Sequence, residues 1–122
     1  MRKNPLRALT KRRDFELVFK EGANVASKYL VMYARPNELS ISRLGLSVSK
    51  KIGKAVTRNR VKRLLRESMR KLLEGLPLNY DFVLVARKSS AGRELDEFVH
   101  EIRTFLPKIS HGKNSDITHN AI

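Results

Sequence analysis

Apolar residues along the 122-residue chain change period several times, and each change marks an element. Phe15, Val18 and Phe19 recur at i, i+3 and i+4, which predicts a helix over about residues 11–21, capped by Thr10 and stopped by Gly22. Residues 25–36, VASKYLVMYARP, are rich in β-branched and aromatic side chains and end in Pro, so they read as one strand. After a turn-like NELSIS, RLGLSVS (43–49) alternates Leu44, Leu46 and Val48 with small residues, the period of a half-buried strand. These two strands are expected to form an antiparallel hairpin. A loop at Gly53 leads near Thr57 into a helix with Val61, Leu64, Leu65, Met69, Leu72 and Leu73 in one stripe. GLPLN ends that helix, and YDFVLVA (80–86) reads as a buried strand. A last helix, from about Gly92 to Phe105, gathers Leu95, Phe98, Val99, Ile102, Phe105 and Leu106 on one side and ends at Pro107.

The coarse order is helix, two strands, helix, strand, helix. A strand–helix–strand unit from 43 to 86 pairs in parallel if its strands are neighbours, and helices must cover a sheet face, so the expected fold is a two-layer α/β sandwich. The length suits one domain, assigned to residues 1–106, followed by a flexible polar tail at 107–122.

Charge adds what periodicity does not. The chain carries 26 Lys plus Arg against 12 Asp plus Glu, a formal +14. Residues 50–71 hold ten basic residues and one acidic, and residues 2–13 hold six basic and none acidic, so the remainder is close to neutral. Charge concentrated in two segments is the footprint of a polyanion site, because like charges repel along a helix unless an anion compensates them. Arg58, Asn59, Lys62, Arg63, Arg66 and Arg70 share a broad face beside the apolar stripe, so the stripe is free to be buried while the basic face stays available.

Several chemistries are excluded. Without cysteine there is no disulfide, thiolate zinc site or cysteine nucleophile. GxGxxG, GxxxxGK[ST] and GxSxG are all missing. His100, His111 and His119 lack ligand-like grouping, and Asp14 and Glu16 point to different sides of a helix. No metal site or catalytic residue is assigned. No run reaches the roughly 18 apolar residues of a membrane span, and the basic amino terminus lacks the apolar region of a signal peptide, so a cytoplasmic protein with no membrane partner is expected.

RNA fits the remaining chemistry. Arginine grips phosphate in a bidentate fork, and Asn59 between two arginines offers hydrogen bonds to a base edge or ribose. Phe15, Phe19, Tyr29 and Tyr33 offer stacking surfaces, with core packing as the competing role; spacing favours packing for Phe15 and Phe19 and leaves Tyr33 open, since Tyr29 and Tyr33 are expected on one strand face.

The run LGLSVSKKIGKAVTRNRVKRLLRE (44–67), with its Arg-Asn-Arg opening a basic helix, resembles the signature of the bacterial ribonuclease P protein component. DFELVF (14–19) before Gly22, and Ala86-Arg87-Lys88 after the hydrophobic strand, fall where that family has them. The resemblance covers about residues 9–106. It implies an α-β-β-β-α-β-α order, hence two strands within 25–36, and a left-handed strand–helix–strand crossover against the usual preference. It implies a non-catalytic subunit whose partner RNA uses magnesium ions, held mainly by that RNA, to remove the 5′ leader from precursor tRNA. Catalytic-RNA contacts would fall to Lys50, Lys51, Lys54, Arg58, Asn59, Arg60, Lys62, Arg63, Arg66 and Arg70. Phe15, Phe19 and Tyr33 would line a cleft for the single-stranded leader. The main alternative is a ribosomal-type structural RNA-binding protein, which shares a basic helix but needs no leader cleft. A DNA-binding module lacks a preceding helix-turn-helix partner, and an independent nuclease lacks a carboxylate cluster.

Overall fold

The computed structural model describes residues 6–110 except 73, 75, 77 and 78. Eight elements follow one another: β1 (Leu6–Ala8), α1 (Arg12–Glu21), β2 (Ala23–Ala26), β3 (Leu30–Pro36), β4 (Ser42–Ser47), α2 (Ala55–Lys71), β5 (Tyr80–Ala86) and α3 (Leu95–Ser110). The α-β-β-β-α-β-α order is present, preceded by a short strand. The sheet runs β1-β4-β5-β3-β2.

The strand over 80–86 matches its sequence pattern residue for residue. It lies at the centre of the sheet, parallel to β4 and antiparallel to β3. A continuous apolar run suits that place because both faces are covered. Its insertion corrects the expected hairpin: β3 and β4 each pair with β5, not with each other. The hairpin of this fold is β2–β3, so residues 25–36 hold two strands where the pattern showed one. Ser27 makes the break. Its backbone N–H donates to the Leu30 carbonyl at 2.8 Å, and its hydroxyl accepts from the Tyr29 and Leu30 amides at 3.3 Å each, a local turn that competes with the ladder.

Side chains alternate across the sheet as the pleat requires. Leu30, Met32, Leu44, Phe82 and Leu84 face one way and meet Leu65 and Met69 of α2 and Phe98, Ile102 and Phe105 of α3. This sheet-and-helix-pair arrangement is the two-layer sandwich and holds the main core. Each large side chain buried there contributes about 1.5–3 kcal/mol. On the opposite face α1 lies alone, with Val18 buried against Val83 and Leu9.

The remaining differences are at element ends. Thr10 is not the cap of α1: Lys11 occupies that position without a side-chain bond, and its carbonyl accepts from the Asp14 and Phe15 amides at 3.0 and 3.1 Å. Leu9 is still tied to β4, its amide donating to Leu44 at 2.9 Å, so the chain turns into the helix one residue later. α2 starts at Ala55, two residues before Thr57. Pro107 does not end α3, which continues to Ser110. Pro107 and Arg103, one turn apart, are both exposed, so the proline lies on the solvent side of the helix. Burial of Ile109 to 4% holds the last turn in place. Helix α3 thus runs past residue 106, where the domain is expected to end, and the rest of the expected tail, with His111 and His119, lies outside the described residues.

Candidate nucleic-acid interface

Helix α1 brings Phe15 and Phe19 one turn apart, and β3 raises Tyr33 on the same sheet face. Phe15 and Phe19 ring centroids are 6.3 Å apart, and Phe19 meets Tyr33 edge-to-face at 4.9 Å. Such pairs add roughly 0.5–1.5 kcal/mol beyond area burial. The competing roles divide within each ring: Phe15 and Tyr33 pack against the small core under α1, yet both stay half-buried, and Phe19 is 40% exposed. The three rings form an open aromatic row.

Gly45 sets the height of that row. A Cβ placed there would come 2.5 Å from Phe15 Cζ, so the absent side chain lets the phenyl lie on the sheet. A partly buried ionic network then fixes the helix above it. Arg43 on β4 donates from Nε and NH2 to the two Asp81 oxygens at 2.8 Å each, while its NH1 lies 3.4 Å from Asp14 on α1. Asn37 donates to Asp81 at 2.7 Å. Burial would raise the Asp81 carboxyl, but the Arg43 and Asn37 hydrogen bonds outweigh it and hold the group below its ordinary value; the Arg43 guanidinium is raised in turn, chiefly by its hydrogen bond to Asp81. At the other end of α1, Arg35 meets Glu21 at 2.9 Å. No local sequence signal pointed to these residues, because the partners stand 38 and 29 positions from Arg43.

Tyr29 does not extend the aromatic row. It lies in the turn before β3, packed against the main core, with the Arg93 guanidinium 5.2 Å from its ring centroid and hydrogen-bonded to its hydroxyl. The turn breaks the alternation that would have put Tyr29 and Tyr33 on one face.

The basic surface is on the far side of the sheet. Lys50 and Lys51 sit in a one-turn 3-10 helix after β4, and Gly53, at φ 150°, turns the chain into α2 with Lys54 at its N-cap. That left-handed conformation favours glycine. Lys50, Lys51, Lys54, Asn59, Arg63, Arg66 and Arg70 are exposed, while Arg58 and Lys62 are half-buried. Arg58 Nε donates to the Gly53 carbonyl at 3.1 Å, which leaves the rest of its fork available. Arg60 is also tied within the protein. Its guanidinium donates to the Arg93 carbonyl at 3.0 Å and approaches Glu94 at 3.4 Å, tying α2 to the segment before α3. Among the described residues no carboxylate forms an ion pair with the other eight cations of this set.

Aromatic row and basic helix thus occupy opposite faces, and they meet at one edge. A cavity of about 490 Å³ beside β1 is lined by Phe15 and by Lys62, Arg66 and Arg70. Among the described residues there is no group of three or more His, Asp or Glu able to hold a metal ion, and no helix long and apolar enough to cross a membrane.

Comparison with known proteins gives the same direction. A family model described as Ribonuclease P matches residues 4–110. The ribonuclease P protein component of Caldanaerobacter subterraneus subsp. tengcongensis is 47% identical over 103 residues, covering 84% of this chain and 89% of the relative. That of Clostridioides difficile is 42% identical over 106 residues, covering 86% and 93%. Among solved structures, the RNase P protein from Thermotoga maritima superposes with a TM-score of 0.76 at 35% identity, covering 84% of this chain and 96% of that one. The Staphylococcus aureus RNase P protein gives 0.74 at 33% identity, covering 87% and 96%.

Proposed function

The chain belongs to the ribonuclease P protein family, and from that premise we propose how its two surfaces divide the work of the holoenzyme. It is the RNA-binding protein subunit of the tRNA-processing endoribonuclease and partners the ribonuclease P RNA. In our reading the outer face of α2 and the turn before it grip that RNA, while Phe15, Phe19 and Tyr33 hold the single-stranded leader of precursor tRNA. One observation carries the reading: eight cations lie together without intramolecular carboxylate partners among the described residues. Left alone they repel one another; phosphates of an RNA backbone relieve that repulsion and release counterions.

The geometry supports a division by chemistry. Guanidinium forks and ammonium groups on a rigid helix meet phosphates without reading sequence, which suits a folded RNA whose shape is the signal. Three offset rings on the other face accept unstacked bases of any identity, each stacking contact giving about 1–3 kcal/mol. With cleavage left to the RNA, the protein raises affinity for substrates that carry a leader. It also lowers the magnesium demand by replacing diffuse counterions with fixed cations. Magnesium, held mainly by the RNA, supplies the hydrolytic chemistry; among the described residues no three or more His, Asp or Glu come together to hold a metal ion. The cytoplasm, where precursor tRNA is made, is the compartment this reading requires.

The direct test is affinity for the cognate RNA against salt. If the eight cations each meet a phosphate, log K falls against log salt with a slope of roughly −6 to −7. A slope near zero would reject the interface.

A further inference from the structure

The cavity where the two surfaces meet is more than a gap between them. β1 pairs with only residues 42–44 of β4, and the chain then leaves the sheet edge at Leu9 and Thr10 to enter α1. Among the described residues no strand pairs with β4 on that side beyond Leu44, and Leu44 and Leu46 form an apolar floor below the basic wall of α2. Lys62, Arg66 and Arg70 make that wall, and Ala8 and Arg7 of β1 line the cavity as well. A volume of about 490 Å³ lies within the range of about 300–1,000 Å³ typical of small-molecule sites.

The lining is chemically asymmetric. Leu44 is 7% exposed and Leu46 half-buried, so the floor offers apolar carbon, whereas every ionisable group among the described lining residues is a cation. A purely apolar guest would strand four cations, Arg7 included, at its edge. A bare phosphate would leave the floor wet. The matching guest has a flat, weakly polar body and one or two negative charges on a short arm, which is a nucleotide.

We propose that this cavity is a nucleotide slot, taking a single unpaired residue of the bound RNA with its base against Leu44 and Leu46 and its phosphate on Lys62, Arg66 and Arg70. The inference rests on the RNA-binding reading above and adds to it a place where the basic helix holds a base as well as a backbone. Two further observations favour RNA as the occupant. The slot is continuous with the exposed cations of α2 on one side and with Phe15 on the other. The segment that precedes β1 carries Arg2 and Lys3, the same sign as the wall, so it is a poor occupant.

The test uses the full chain and adenosine 5′-monophosphate, inorganic phosphate and octyl phosphate as probes, followed through leucine methyl and backbone amide resonances. The slot predicts saturable binding of adenosine 5′-monophosphate at least about tenfold tighter than inorganic phosphate, a difference of about 1.4 kcal/mol, with the Leu44 and Leu46 methyls shifting only with the nucleotide. Leu46→Ala should erase that preference. Ala8→Glu, an exposed position on an edge strand, should weaken nucleotide binding about tenfold while leaving the fold intact. Equal binding of nucleotide and inorganic phosphate, unmoved leucine methyls, or octyl phosphate binding as well as the nucleotide would overturn the slot. Cognate-RNA affinity measured on the same samples separates the two failures. Steep salt-dependent RNA binding without nucleotide preference refutes the slot alone, and loss of RNA binding by the unaltered chain refutes the reading beneath it.

Discussion

Gly45→Ala is the smallest change that should separate the two surfaces. The new Cβ would stand 2.5, 2.9 and 3.1 Å from Phe15 Cζ, Cε2 and Cε1, so the phenyl must lift by about 1 Å to regain ordinary contact. Overpacking of this kind costs about 1–3 kcal/mol. Replacing glycine in a strand returns about 0.5–1 kcal/mol through backbone entropy, which leaves a net loss of roughly 1–2 kcal/mol. For a domain of this size that lowers Tm by about 4–8 °C. The lifted ring also disturbs Phe19 and Tyr33, so affinity for a single-stranded leader oligonucleotide should fall several-fold. Cognate-RNA binding, which rests mainly on the eight cations of α2 and the turn before it, should fall by much less. Thermal unfolding and two binding titrations on one preparation decide it. Unchanged Tm with unchanged leader affinity would refute the reasoning, as would equal loss of both RNAs.

Other residues give independent tests. Arg66→Ala should lower the magnitude of the cognate-RNA salt slope by about 1; Arg60→Ala should leave the slope unchanged, because its guanidinium is engaged by Arg93 and Glu94. Asp81→Asn should cost about 2–3 kcal/mol, since it leaves the buried side of Arg43 with a weaker partner. The Asp81 carboxyl is depressed in the folded state, so its stabilisation is fully present above the unfolded value of about 3.9 and is lost as pH falls through the lower folded value. Denaturant titrations across that acid window should show this loss in the parent and not in Asp81→Asn. Ile109→Ala should cost about 2 kcal/mol or more, whereas a residue in a flexible tail would cost nothing.

What was legible in the sequence follows from the range of the forces involved. The stripe Val61, Leu64, Leu65 and Met69 and the run 80–86 announce themselves because burial imposes a local period. Strand partnership has no such period: Leu44 and Leu46 carry the same alternation whether β4 lies beside β3 or beside β5, so local pattern predicts an antiparallel hairpin that the central position of β5 overrides. Arg60 reads as part of an RNA-binding triplet, yet the 100° step between helical neighbours turns it toward Glu94 while Asn59 stays in the open. The Arg43–Asp81–Asp14 network was invisible for the same reason as the cavity: each joins residues far apart in the chain. Pro107 misled because its cost is local and the burial of Ile109 that outweighs it is not.

The central claim is that this chain supplies fixed positive charge and a leader cleft to an RNA that performs the cleavage. Its most direct test is precursor-tRNA cleavage by the cognate RNA at limiting magnesium, with and without the protein. The account predicts strong stimulation by the protein that fades as magnesium is raised, and no cleavage by the protein alone. Absence of stimulation at limiting magnesium, or cleavage by the purified chain without RNA, would contradict it.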